Sequence, residues 1–316
     1  MSSPKIATRR AYGEALVKLG EKNQNVVVLD AETSNSTFAE LFKNAYPDRF
    51  IESYIAEQNM VSMALGLSKR GRIPFVSTFA AFFTRAADQI RMSQYSHGNV
   101  KFVGSHAGVS IGEDGASQMA LEDLSLFRAI LDSVVFYPSD SVSTEKLVML
   151  MAKHEGISYM RTTRADTDVL YSNDETFRIG GSKTLCESDK DEVTLIAAGI
   201  TLHESLAAKE ILEKDGILAR VIDLYCVKPV DKEAISKASK ETKAIIVIED
   251  HFQEGGLYEA VVSSGANVDF ENGKATPIHS LAVRKMPHSG KPQELLEYEE
   301  IDRKAIVAKV RQILGE

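Results

Sequence analysis

The stretch GSHAGVSIGEDGASQMALED, residues 104–123, holds the groups best suited to handle a small polar molecule. His106 brings an imidazole that can donate, accept or carry a proton near neutral pH. Glu113 and Asp114 bring carboxylates, and Ser117 and Gln118 bring a hydroxyl and an amide. Glycines at 104, 108, 112 and 115 separate them, so the backbone can turn sharply and approach a ligand closely. A surface loop with incidental polar residues is the plainer alternative. A Gly-rich loop behind a short apolar strand, here 100–103, is nevertheless how an open α/β sheet builds a small-molecule site. Glu57, in IAEQNM, places a carboxylate at a strand end and a helix start. It could act on a ligand, or simply favour the helix dipole by about 0.3–1 kcal/mol, and the residues alone leave both open. The segment STFAAFFTRAADQIR, 77–91, supplies aromatic rings that could stack on a flat heterocycle or pack a core.

These groups need a frame, and the apolar pattern supplies one. Residues 8–19 space Ala11, Ala15, Leu16 and Leu19 along one helical face. Strand-like runs follow at 26–29, 50–55, 75–78, 100–103, 134–137 and 157–160, separated by helical patterns. In NSTF, Ser36 or Thr37 fits a helix N-cap, and Pro47 ends that helix. Such alternation predicts a largely parallel sheet covered on both faces. The expected architecture is α/β, with a first domain over residues 1–170. A polar connection over 171–190 contains Gly180–Gly181. A smaller α/β domain then covers 191–316, with strands at 193–197, 219–224 and 245–248 and a helix at 202–213. Its Gly255–Gly256 pair precedes a helix and could cradle an anion; a tight strand-to-helix turn fits better, because no Lys or Ser/Thr completes a P-loop.

Bulk composition excludes several classes. The net charge of −8 argues against a general nucleic-acid binder, and an anionic substrate would need local positive charge. No apolar run approaches the roughly 20 residues that span a bilayer, so no membrane role is expected. MSSPKIATRR has no apolar core behind it and does not read as a secretory signal. The 2 cysteines, Cys186 and Cys226, are too few for a disulfide framework or a zinc site. Free thiols in a reducing compartment, hence a cytoplasmic location, are the expectation.

The order of residues in 104–123, with IAEQNM, STFAAFFTRAADQIR and MPHSGKPQELLE at 286–297, closely resembles transketolases. These thiamine-diphosphate enzymes move two-carbon ketol units between sugar phosphates. The resemblance runs from about Ile6 to the end and covers the family's pyrimidine-binding and C-terminal domains. It implies that Glu57 is the cofactor-activating glutamate, whose carboxylate hydrogen-bonds the aminopyrimidine ring nitrogen and promotes the imino tautomer. It implies that Phe79 and Phe82 line the pyrimidine pocket, with Arg85 beside them. Arg9, Ser36, His106 and Arg164 correspond to the set that binds the substrate's terminal phosphate, His106 also counting as catalytic. Hydrogen bonds to such a dianion contribute about 1.5–3 kcal/mol each. In RTTR the choice of Arg164 over Arg161 rests on that family pattern. Asp114 would accept from sugar hydroxyls. Gln118 stands where the animal-like branch has glutamine and the yeast type histidine. Glu32 replaces the aspartate usual in that branch, in the loop beside the cofactor.

The resemblance also implies an incomplete enzyme. The family's N-terminal domain, whose GDG…N motif binds Mg²⁺ and the diphosphate, has no counterpart here. This chain would hold the pyrimidine end of thiamine diphosphate and no metal ligands of its own, Mg²⁺ being bound mainly by a partner. The expectation is the C-terminal subunit of a split transketolase of the pentose phosphate pathway. It would assemble with an N-terminal transketolase subunit, as a heterotetramer that self-associates through a dimer core. Met1 just ahead of the matching region suggests a natural split gene, a truncated piece being the alternative. Two rival functions remain: the β subunit of a 2-oxoacid dehydrogenase or a deoxyxylulose-phosphate-synthase-like enzyme, and a non-catalytic half-transketolase that binds and regulates a complete one.

Overall fold

The computed structural model describes residues 5–269 and 274–315. Runs of β-branched and apolar residues build its strands. VVVLD forms β1 (Val26–Asp30), followed by β2 (Phe50–Glu52), β3 (Ile73–Phe79), β4 (Lys101–Ser105), β5 (Val134–Phe136) and β6 (Ser158–Arg161). Further along come β7 (Lys183–Cys186), β8 (Val193–Ala197), β9 (Ala219–Asp223), β10 (Cys226–Lys228), β11 (Ala244–Phe252) and β12 (Ile278–Val283). A seven-stranded sheet has the order β10–β5–β6–β4–β3–β1–β2, and a five-stranded sheet the order β12–β11–β8–β9–β7. The first is parallel except for β10, and the second except for β7. Both faces of β1 and β4 are buried, which is why β1 reads as a continuous apolar run, Val26 to Leu29, rather than an alternation.

Four of the first sheet's central neighbours, β6, β4, β3 and β1, end side by side. Their C-terminal ends lead respectively to Arg164, His106, Phe79 and the loop carrying Ser36. Register confirms the alignment: Arg161 pairs with Gly104, Ser105 with Phe79, and Ser77 with Asp30. Residues far apart in sequence therefore share one sheet edge, the usual place for ligands in parallel α/β sheets.

The two sheets do not form separate cores. Tyr137, Val135 and Phe102 belong to the same buried cluster as Ile196, Ile222 and Val247. Val109, Ile111, Met119 and Leu121, from the Gly-rich loop, pack into the core of the second sheet. β10 pairs antiparallel with β5, so the C-terminal portion lends a strand to the first sheet. At the seam, Arg161 is fully buried with Asp123 (Nε–Oδ2, 3.0 Å) and Asp250 (Nη1–Oδ1, 2.8 Å).

Several local expectations are corrected. The N-cap expected at Ser36 or Thr37 is not formed. Ser34–Thr37 is itself one helical turn, Phe38 is left-handed at φ +62°, and the next helix, Glu40–Ala45, has no side-chain cap. The Thr37 hydroxyl donates to the buried Asp30 carboxylate and accepts from the N–H of Ala39 (3.3 Å), which precedes the helix, so it reaches no N–H of the first turn. The strand expected at 50–55 stops at Glu52, because Tyr54 turns left-handed at φ +53°. The helix expected after β3 begins as 3₁₀ over Ala80–Ala86 and becomes α only over Ala87–Tyr95. By contrast, Gly255–Gly256 make the expected strand-to-helix turn, not an anion cradle. Glu249 already occupies the following helix start, accepting from the backbone N–H of Leu257 (2.6 Å) and Tyr258 (3.1 Å).

Candidate active site

A cleft of about 450 Å³ lies at the C-terminal edge of the first sheet, lined by Arg9, Ser36, Phe79, His106, Asp114, Gln118 and Arg164. Five separate segments contribute these side chains, so their convergence is a product of topology.

The start of the chain reaches the cleft because Ile6 and Ala7 pair antiparallel with Thr167 and Asp166. Thr8 reinforces this, its hydroxyl accepting from the N–H of Thr163 at 2.9 Å. Arg9 and Arg164 are thereby brought to one place. Arg9 Nη1 donates to the carbonyl of Ser36 (2.8 Å), and Arg164 Nη1 donates to Asp114 (3.0 Å) and to the carbonyl of Ile111 (3.1 Å). Burial, then repulsion from Arg164, lowers the Arg9 pKa, yet a guanidinium stays charged at neutral pH. Arg9 Nε is buried with no hydrogen-bond partner. Two neighbouring cations, one with an unused donor, suit a bound anion.

His106 is buried and left-handed at φ +56°. Its Nδ1 is 2.7 Å from the Ser105 hydroxyl, and its ring stacks on Phe79 at 3.9 Å between centroids. Burial, followed by the nearby charges of Arg9 and Arg164, pushes its pKa down to about 3. The imidazole is therefore neutral at physiological pH, leaving Nε2 for a ligand.

Glu57 opens the helix Glu57–Lys69, is 4% exposed, and receives Arg85 Nη1 at 2.5 Å. Arg85 lies over the Phe82 ring at 4.2 Å, and Phe82 stacks on Phe79 at 5.2 Å. A continuous path thus runs from the buried carboxylate across two aromatic faces to His106. Flat rings beside a carboxylate fit an aromatic heterocycle with a protonatable nitrogen.

The structure brings together every residue expected to bind substrate, with Phe79 among them, and joins Phe82 to Phe79 by stacking and Glu57 to Phe82 through Arg85. Glu32 is different. It is exposed, left-handed at φ +59°, donates its N–H to Glu52 (3.0 Å), and is not among the cleft-lining residues. Arg161 and Arg164, equivalent on composition, part completely: Arg164 faces the cleft, while Arg161 turns into the seam. Asp30 escaped sequence reasoning. It is wholly buried, and burial pushes its carboxyl up to about 7 despite hydrogen bonds from Thr37 and Thr33. The available signal was an acid closing an otherwise apolar strand. Among the described residues, no cluster of three or more His, Cys, Asp or Glu could hold a metal ion. Among the same described residues no helix is long and apolar enough to cross a membrane, and Cys186 and Cys226 are free.

Residues 4–168 match the family model of the transketolase pyrimidine-binding domain, and residues 182–306 that of the transketolase C-terminal domain. The chain is 54% identical to a transketolase of Homo sapiens over 312 residues, 98% of this chain and 49% of that protein. It is 53% identical to a transketolase-like protein 1 of Bos taurus, over 98% of this chain and 51% of that one. It thus spans about half the length of the curated relatives it matches. Among solved structures, a split-gene transketolase described as an inactive β4 tetramer superposes with a TM-score of 0.87 at 38% identity, covering 99% of both chains.

Proposed function

Because the chain belongs to the transketolase family, we propose that it is the C-terminal subunit of a split, thiamine-diphosphate-dependent transketolase. It would transfer a two-carbon ketol unit from ketose phosphates to aldose phosphates, together with a separate diphosphate-binding subunit. The observation that carries this reading is the single cleft formed by Arg9, Ser36, Phe79, His106, Asp114, Gln118 and Arg164. Two guanidiniums beside an uncharged imidazole suit a phosphorylated polyol better than a simple 2-oxoacid. The likeness to a split-gene transketolase chain, over 99% of both chains, supports a two-chain assembly.

In the proposed site, Phe79 and Phe82 hold the aminopyrimidine ring and Glu57 holds a proton on its ring nitrogen. The cofactor, when bound, supplies the carbanion chemistry that no side chain can. Arg9, Arg164 and the Ser36 hydroxyl bind the terminal phosphate through charge-assisted hydrogen bonds. His106, its ring fixed by Ser105 and Phe79, adds a neutral hydrogen bond to the same phosphate, while Asp114 and Gln118 orient the sugar hydroxyls. Glu32 influences the cofactor only through its loop. A partner chain supplies the Mg²⁺ and diphosphate contacts, in a heterotetramer. The two free thiols suit a cytoplasmic setting.

The test is a ketol-transfer assay with thiamine diphosphate and Mg²⁺, run on this chain alone and mixed with a diphosphate-binding subunit. Activity in the mixture only is expected. Activity on 2-oxoacids without activity on ketose phosphates would overturn the reading.

A further inference from the structure

The seam between the sheets contains a buried polar cluster that the proposed chemistry does not use. Arg161, Asp123, Asp250 and His251 are all completely shielded from solvent at their side chains. Arg161 Nη1 donates to Asp250 Oδ1 (2.8 Å), and Nη2 donates to the carbonyls of Asp250 (3.0 Å) and Ala120 (2.8 Å). The Tyr137 hydroxyl adds a second donor to Asp250 Oδ1 at 2.9 Å. Replacing such a cluster by apolar residues often leaves stability unchanged or improved, so docking of the domains alone does not require it.

Its connections lead into the cleft. The Ala120 carbonyl that Arg161 engages also accepts the N–H of Gly108 at 2.9 Å. The Ala107 N–H donates to the Thr162 carbonyl at 3.3 Å. Gly108 is left-handed at φ +79°, and a Cβ there would fall on Asp250 Oδ2. That oxygen is buried without a hydrogen-bond partner. Asp250 thus presses on the loop two residues after His106, while its Arg161 partner precedes Arg164 by three. One residue from the second sheet contacts the segments that carry both cleft residues.

We infer that Asp250 is a positioning residue: through Arg161 and Gly108 it fixes His106 and Arg164 in the geometry that binds the substrate phosphate. The C-terminal half thereby contributes to a site it does not line.

The experiment compares wild type, Asp250→Ala, Asp250→Asn, Gly108→Ala and the Gly108→Ala/Asp250→Ala double variant. Hydrogen exchange of the intact chain reads the 104–120 segment directly and is independent of the ketol-transfer reading. Faster exchange at Ala107 and Gly108 is expected in Asp250→Ala and in Gly108→Ala, with Asp250→Asn closer to wild type. In the double variant the Cβ gains the vacated space, so the two effects should not add. A kinetic arm, which rests on that reading, uses the chain assembled with its diphosphate-binding subunit. KM for a phosphorylated ketose should rise about tenfold or more, with KM for an unphosphorylated ketol donor nearly unchanged. If wild type itself transfers no ketol unit, the reading falls and the exchange arm still decides the inference. Lower melting temperatures with unchanged exchange at 104–120 would overturn it, leaving the cluster a domain fastener. Should Asp250→Ala fail to fold, Asp250→Asn and Gly108→Ala carry the same comparison.

Discussion

His106 is held uncharged, so the positive charge that meets an anionic substrate must come from Arg9 and Arg164. Substituting either arginine by Ala should raise KM for phosphorylated substrates about 10- to 100-fold, the equivalent of one charge-assisted bond, and spare unphosphorylated donors. Steady-state kinetics with matched substrate pairs checks this. Glu57→Gln keeps the side chain's shape while removing a proton-holding carboxylate. It should lower kcat by roughly 10²–10⁴ with little change in melting temperature. Asp30 makes a prediction of opposite character. Its folded pKa, raised to about 7, lies above its ordinary value of 3.8, so the native state keeps a proton that the unfolded chain loses. Stability from this group is fully present at acid pH and is lost as pH rises from about 4 to 7. Urea unfolding across that window should show a steeper decline in wild type than in Asp30→Asn. The residue types of this site were legible from the loop and from Glu57, but the roles were not. Nothing local distinguishes Arg161 from Arg164 in RTTR; only the sheet, which turns one into the seam and frees the other, separates them.

Elements hold these groups by close approach. Gly13, in the helix Thr8–Lys22, lies where a Cβ would strike the carbonyl and Cβ of Phe38. That contact sets the distance between the helix start bearing Arg9 and the turn bearing Ser36. Gly13→Ala should therefore cost about 1–3 kcal/mol through overpacking, seen as a lower denaturant midpoint, and should also weaken phosphate binding. An effect on stability alone would mean that the turn re-forms without moving Ser36. Most central strands were legible because they carry apolar runs such as VVVL at 26–29, as strands covered on both faces usually do. Other elements were hidden for identifiable reasons. β2 ends early because Tyr54 is left-handed, a conformation non-glycine sequences rarely announce. Ala80–Ala86 carries helical residues, yet tightens to 3₁₀ as it leaves Phe79 in the cleft. β10 joins the first sheet from beyond the expected 170 boundary, a long-range pairing that periodicity cannot encode.

At the scale of the whole molecule, a net charge of −8 surrounds a cleft whose floor is cationic. Local charge must overcome that field, and salt screens both contributions beyond a Debye length of about 8–10 Å. The same surface argument bears on assembly. Beside the buried Glu57, the neighbouring Tyr54 and Ile55 stand 66% and 74% exposed. Large apolar side chains exposed beside a buried carboxylate suit a face that another chain covers. Among the described residues there is also no set of acidic and histidine ligands to hold a metal–diphosphate. The chain alone should therefore bind thiamine diphosphate weakly, and calorimetry should show little heat even with Mg²⁺. Adding the diphosphate-binding subunit should restore binding and activity together, and should raise the melting temperature, since a ligand shared between chains stabilises only the assembled state. A substitution at the exposed edge, Ile55→Asp, should weaken subunit association measured by sedimentation while leaving the isolated chain's melting temperature unchanged. Tight cofactor binding by the isolated chain would place the diphosphate contacts within these residues and remove the need for a second subunit.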